Sequence, residues 1–533
     1  TPHQSSAASD VYKRQANIMH IMQRYFISLT KTKIKKCFHI SSLGVILFGL
    51  VVNSCLWFPT KVQAQTDIYC RLSPEAIAHK ENLRQGVLEG NKEAEKQYQD
   101  ILIKHNRQLS NCRMRNWPKT QGIWLRLYPC DARPGEIDRI LDKIVNQGYN
   151  QVYIEAFYNG QVLLPAANNP TVWPSVLRVP GYENVDLLAD SLKKARERGL
   201  GAYAWIFTMN FGYTYSQLPN RQEALARNGR GQTTLDVIPD NVNLQNHLGA
   251  SHAFHTFIDP YSPQARQDYS IIVNEVLKRQ PQGVLFDYIR YLRGVGSDSV
   301  ADEVKDLWIY SKASRNVLLQ RARNEAGKEL IKIFLDKGYV TSGDIYAVSS
   351  RGTPRWQSFF SPSANGRLPK RGSGTQIWEL SVAHAAQGVI DFLQVATQPV
   401  QQKGLSAGAV FFPGGNRRIQ GDGFDSRLQP WDQFPSWMEW HPMSYGACGN
   451  GDPSCIVSKI ERVMSMTPKG VTVIPAIAGV WGQPFKNRPS LEIQMQAIKI
   501  ATPQINSISH FSYGWQNIEE TRERKYCRLS TGF

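Results

Sequence analysis

The residue best suited to acid–base work in this chain is Asp287. It closes the apolar run Val284-Leu285-Phe286 and precedes Tyr288, Ile289 and Arg290. A carboxylate among apolar side chains loses hydration and titrates high unless it is paired. Arg290, or another basic group, could hold Asp287 ionised and aimed; a purely structural Asp–Arg pair is the alternative. Glu155 stands in a similar setting, behind Val152 and Ile154 and ahead of Phe157, Tyr158 and Asn159. Two such carboxyl groups could cleave an acetal C–O bond, one protonating the leaving oxygen while the other attacks carbon or activates water. Glu155 could instead bind substrate or serve the structure.

A third run, Glu439-Trp440-His441-Pro442-Met443-Ser444-Tyr445, puts Glu439, His441 and Tyr445 on one face of an alternating strand. Tyr445 is nearest the end and is expected to face a pocket. His441 could donate to a sugar hydroxyl or a carboxylate, or rest satisfied in a core. Glu439 lies deeper, where it could pair with His441. Trp205, Trp481 and Trp515 follow other apolar runs and could stack on flat ligand faces, although each alone is as easily explained by packing. Competing chemistries lack their residues. There is no Gly-x-Ser-x-Gly, no His-Glu-x-x-His, no Cys–His nucleophile, no Gly-x-Gly-x-x-Gly and no phosphate-binding loop. No metal and no cofactor are called for.

The elements that must position these groups repeat along the chain. Apolar runs begin at Gly122, Gln151, Gly201, Gly283, Leu405, Trp437, Val471 and Ile505. Amphipathic segments separate most of them, for example one with Ile137, Ile140, Leu141, Ile144 and Val145 on one stripe and Gly148 as its stop. Such alternation predicts parallel strands with returning helices, and eight units predict a closed (β/α)8 barrel over residues 119–520. In that fold reacting groups sit at the C-terminal ends of strands. Long insertions follow the third and fourth strands on that same side. Residues 65–118 read as a charged helical preface, which cysteines near its ends could tie, and 521–533 as a tail.

The first 64 residues read differently. Residues 1–15 are polar and unlike the segment after them. A basic stretch at Lys31, Lys33, Lys35 and Lys36 precedes the apolar run from Ile40 to Phe58, and Val62-Gln63-Ala64 supplies small residues before a cut at Gln65. This predicts an exported protein, secreted or periplasmic; lipoprotein processing at Cys55 is the weaker fit. Export suits the cysteines. Beyond the leader six remain, and Cys448 and Cys455, flanking a short Gly-rich loop, are the expected pair. Cys70, Cys112, Cys130 and Cys527 allow three pairings. The net charge of +18 falls to about +11 without residues 1–64, which hold eight Lys or Arg and one Asp. Such a surplus suits an anionic polysaccharide, an anionic envelope surface or nucleic acid. The cations are scattered and no nucleic-acid motif accompanies them. No second long apolar run predicts a membrane span.

These motifs together resemble a known family. Gly122-Ile-Trp-Leu, the strand from Asn150 to Glu155 with Gly160 and Pro165 after it, Asp259-Pro260, Phe286-Asp287-Tyr288-Ile289-Arg290-Tyr291 and His441-Pro442-Met443-Ser444-Tyr445 occur in that order. Over residues 120–515 the chain resembles the glycosyl-hydrolase-like family ten, extracellular barrel proteins. The resemblance implies a TIM barrel acting on polysaccharide, with Asp287 at the family's strand-four aspartate. Members carry an acid leading into the Pro-Met-x-Tyr strand; Met438 and Glu439 occupy that stretch here. A non-catalytic glycan-binding barrel of the envelope is the competing expectation, and an assembly protein docking a partner through its helical preface is a third.

Overall fold

The computed structural model describes residues 69–237, 255–357, 373–419 and 421–529. The expected leader, with Cys37 and Cys55, lies outside them.

Eight parallel strands form the centre: β1 (Thr120–Leu125), β2 (Gln151–Tyr158), β3 (Gly201–Phe207), β4 (Gly283–Asp287), β5 (Ser406–Phe411), β6 (Glu439–Pro442), β7 (Ala476–Ala478) and β8 (Ser507–Phe511). Their spatial order is β7-β8-β1-β2-β3-β4-β5-β6. Parallel bridges from Trp440 to Val473 and from Met443 to Ala476 join β6 to β7 and bring the two edges together. The chain is a (β/α)8 barrel. Every apolar run contains a strand, because each is buried on both faces, against the barrel interior and against helices. The fourth strand stops at Asp287, short of Arg290, because Tyr288 turns left-handed with φ 54°.

The outer layer includes α3 (Glu136–Asn146), α4 (Leu187–Glu197), α5 (Pro263–Lys278), α6 (Ser373–Gln402), α7 (Ser454–Met466) and α8 (Leu491–Ala501), after a preceding pair α1 (Pro74–Leu88) and α2 (Lys92–Arg115). Helix α1 starts where the Ser73 hydroxyl accepts the Ala76 amide at 3.3 Å, with Pro74 in its first turn. The α1–α2 pair encloses Leu83, Ala94, Tyr98 and Leu102. It is fixed to the barrel through Asp142 of α3, which accepts from the Tyr98 hydroxyl at 2.7 Å and Arg198 Nε at 2.8 Å, with Lys80 Nζ at 3.6 Å.

Three disulfides use all six cysteines beyond the expected leader: Cys70–Cys112, Cys130–Cys527 and Cys448–Cys455. The first ties the ends of the helical preface, one of the three pairings left open by the sequence, and the third closes the loop after β6 between the pair expected there. The second settles the remaining pair. It also anchors the segment expected as a C-terminal tail. There helix α9 (Ile518–Tyr526) docks on the loop after β1, where Arg524 grips Asp131 with nitrogen–oxygen distances of 2.8 and 2.6 Å.

Candidate active site

Parallel register sets the levels inside the barrel. Glu155 lies beside Trp205, and Trp205 beside Leu285, so Asp287, two residues further along β4, rises one level nearer the C-terminal mouth. Alternation puts all four on the inner face. A one-residue bulge follows Glu155 on β2 and breaks that alternation. Phe157 consequently packs against Trp173 and Phe211.

Asp287 is only 6% exposed. Its carboxylate accepts the Tyr288 amide at 2.6 Å and Trp205 Nε1 at 3.2 Å. The first of these bonds accompanies the left-handed Tyr288 turn, a conformation unfavourable for a bulky residue and frequent at functional sites. Burial dominates and pushes the Asp287 carboxyl up to about 6; the Tyr288 amide, the Arg290 charge and the Trp205 N–H pull the other way, and Glu155 adds to the rise. The group can therefore carry a proton near neutrality and release it.

Arg290 does not pair with Asp287. Its side chain donates from Nη1 to the Tyr291 carbonyl at 2.8 Å, and among the described residues no carboxylate lies within ion-pair reach. Instead the guanidinium carbon sits 4.6 Å from the Tyr288 ring centre, 5.5 Å from Phe412 and 5.6 Å from Phe257. The left-handed residue between them turns Arg290 away from the acid. Its burial pushes the guanidinium down to about 10.

Glu155 lies mid-strand, wholly buried, and is gripped by both Nε and Nη2 of Arg126, the latter at 2.9 Å from Oε1. Burial pushes its carboxyl up and Arg126 opposes the rise. Arg126 follows β1 and also covers the Tyr158 ring at 4.4 Å. Sequence reasoning missed it. The available signal was a charge inside an otherwise apolar run, but its partner stands 29 residues away.

The other expected residues divide into two groups. Trp205, Tyr445 and Trp515 gather at the mouth. Trp205 contacts Asp287, Tyr445 packs 5.3 Å from Phe511, and Phe511 lies 5.9 Å from half-buried Trp515. Burial and the nearby Asp287 hold the Tyr445 hydroxyl well above its ordinary pKa. His441, Glu439 and Trp481 lie elsewhere. His441 is completely buried in the barrel, 5.6 Å from Tyr153 and 6.3 Å from Trp124, and meets Glu439 at 3.3 Å. Glu439 opens β6 at the N-terminal end, where the Tyr203 hydroxyl reaches it at 3.2 Å. Trp481 belongs to the helix layer. Its indole N–H meets the Tyr149 hydroxyl at 3.2 Å, and Arg71 covers its ring at 4.2 Å. A surface depression of 750 Å³ near Arg279, Asp186 and Glu275 lies outside the barrel mouth, and its charges pair with one another. Among the described residues, no cluster of His, Cys, Asp or Glu could hold a metal ion, and no helix is long and apolar enough to cross a membrane.

No protein-family profile and no curated protein matches this chain. Among solved structures it is similar to the PgaB (BpsB) glycoside hydrolase domain from Bordetella bronchiseptica, at 14% identity and TM-score 0.42, covering 77% of this chain and 99% of that one. It is also similar to a GH20 exo-β-N-acetylglucosaminidase from Vibrio harveyi, at 9% identity and TM-score 0.39, covering 78% and 53%. A GH18 chitinase from Pseudoalteromonas aurantia is similar at 10% identity and TM-score 0.34, covering 76% and 99%. At these scores none carries an argument about activity.

Proposed function

We propose that this chain is a glycoside hydrolase that cleaves O-glycosidic bonds of a polysaccharide at the C-terminal mouth of its barrel. The observation that carries the reading is Asp287, a buried acid at a strand's C-terminal end with a pKa of about 6 and, among the described residues, no ion-pair partner. In the proposed reaction Asp287 gives its proton to the bridging oxygen, the bond from that oxygen to the anomeric carbon breaks, and the leaving sugar departs as an alcohol. Water adds to the anomeric carbon, and its released proton restores the acid. Glu155, gripped by Arg126 one level beneath, acts through Asp287, whose pKa its charge helps to raise. Tyr445 and Trp515 offer stacking faces at the rim, and Trp205 aims the acid. Family resemblance to the glycosyl-hydrolase-like family ten belongs to this proposal, as do export to an oxidising compartment, which the disulfides support, and association with the envelope.

A second reading, a glycan-binding barrel without catalysis, draws on one observation. Arg126 already engages Glu155 through Nε and Nη2, which leaves Asp287, among the described residues, outside an ion pair at this mouth. Reducing-sugar release from a panel of envelope and plant polysaccharides separates the two. Release by wild type that disappears in Asp287→Asn is the expected result. Tight glycan binding without release, unchanged by Asp287→Asn, would overturn the hydrolase reading.

A further inference from the structure

The mouth of the barrel carries more positive charge than its own acids balance. Arg290 is only 7% exposed, yet it has aromatic rings around it and, among the described residues, no carboxylate partner. Leaving a buried guanidinium without an anion costs free energy, which ordinary proteins avoid by pairing it. Phe412 carries a second guanidinium, that of Arg427, at 4.7 Å. Arg427 is held by Asp425, with nitrogen–oxygen distances of 2.7 and 2.6 Å. A methyl group placed on Gly414 would lie 3.7 Å from Arg427 and 3.8 Å from exposed Arg417, so these two flank one glycine. Arg488 donates to the Tyr445 carbonyl at 3.0 and 3.2 Å and has no acidic partner among the described residues. Lys459 of α7, lowered chiefly by burial, also feels Arg488, Arg427, Arg417 and Arg293.

We propose that the mouth binds an acidic glycan, with the Arg290 guanidinium receiving a sugar carboxylate beside Asp287 and the Arg417–Lys459–Arg488 side attracting anionic groups on neighbouring sugars. Three features support this. Among the described residues Arg290 Nε and Nη2 have no protein acceptor, and a planar fork of this kind matches a carboxylate in two parallel hydrogen bonds. The aromatic rings hold the cation in place before a ligand arrives. Cations come from loops after β4, β5 and β7 and from α7, so the positive field lines one arc of the mouth, where low-dielectric walls focus it. A sulfate ester offers the same fork-shaped recognition and is the alternative source of the anion.

This inference rests on the proposal that the mouth binds glycans, and binding is therefore measured apart from cleavage. Asp287→Asn protein, which keeps ligands intact, is titrated with a short oligogalacturonate, its carboxyl-reduced neutral form and a sulfated galactan oligomer, at low and high salt. The acidic oligomer is expected to bind about tenfold or more tighter than the neutral one, with the difference shrinking at high salt. Arg290→Gln in that background should remove most of the preference. Arg417→Glu, on an exposed side chain where folding is not at stake, should lower it several-fold. Preference for the sulfated oligomer alone would support the anionic site and assign the ester as its source. Equal affinity for charged and neutral oligomers would overturn the inference. Asp287-dependent release from neutral glycans beside that equality would leave the hydrolase reading standing. Tight binding of the acid without release by wild type would do the reverse.

Discussion

Two groups of buried charges in this molecule are built in opposite ways. Outside the barrel, Asp142, Arg198, Asp138 and Tyr98 bond to one another, with Lys80 Nζ 3.6 Å from Asp142. Arg198 reaches Asp142 at 2.8 Å, Asp138 at 2.9 Å and the Tyr98 hydroxyl at 2.7 Å, so its charge is met on every side. At the mouth, Asp287 and Arg290 are three residues apart and similarly buried, yet they make no ion pair. The first group fixes the helical preface to α3 and α4. The second leaves an acid met by the Tyr288 amide and the Trp205 indole, and a cation met by the Tyr291 carbonyl and aromatic rings. Burial without an ion-pair partner also occurs away from the mouth, as at Arg113 of α2, which donates to the Gly148 carbonyl, so what sets the second group apart is an acid and a cation left unpaired side by side at a strand's C-terminal end.

That contrast can be broken by substitution. Asp142→Asn leaves Arg198 and Lys80 short of an anion and should destabilise the fold by about 3 kcal/mol or more in denaturant unfolding. A loss below ~1 kcal/mol would show that the two groups do not differ. Asp287→Asn should do the opposite at pH 8, raising stability by about 2 kcal/mol. The sign follows from a folded pKa near 6, above the unfolded value of ~4. Folding takes up a proton between those values, so wild-type stability from this group is full below about pH 4 and falls as pH rises through 6. The gain in the variant should vanish in acid. Trp205→Phe removes a donor to the ionised carboxylate, so the alkaline limb of kcat/KM should move upward by roughly half a pH unit. An unchanged limb would mean that Trp205 does not aim the acid. Arg290→Met loses no ion pair, and its stability should stay within about 1 kcal/mol of wild type.

Much of the barrel was legible because its strands are buried on both sides and read as unbroken apolar runs, as from Val284 to Phe286. Asp287 was legible as a carboxyl group in such a run. Its environment was not. Proximity in sequence suggested Arg290 as its partner, whereas the left-handed Tyr288 separates them and the Trp205 indole, two strand positions down on β3, takes that place. Glu155 was visible, but its engagement by Arg126 depends on the pairing of β1 with β2. His441 does alternate with Glu439, and that very alternation keeps it deep beneath Trp124. Trp481 misled because β7 ends at Ala478, and the chain then leaves the barrel for the helix layer.

A glycosidase of the proposed kind needs a carboxylic acid that stays protonated close to neutrality at the barrel mouth. The most direct test is the titration of Asp287 itself, read as the difference infrared spectrum between wild type and Asp287→Asn across pH. A carboxyl band lost with a midpoint near pH 6 is the predicted result. A midpoint at ~4, the ordinary value for an aspartate, would contradict the account and leave Asp287 an ordinary anion.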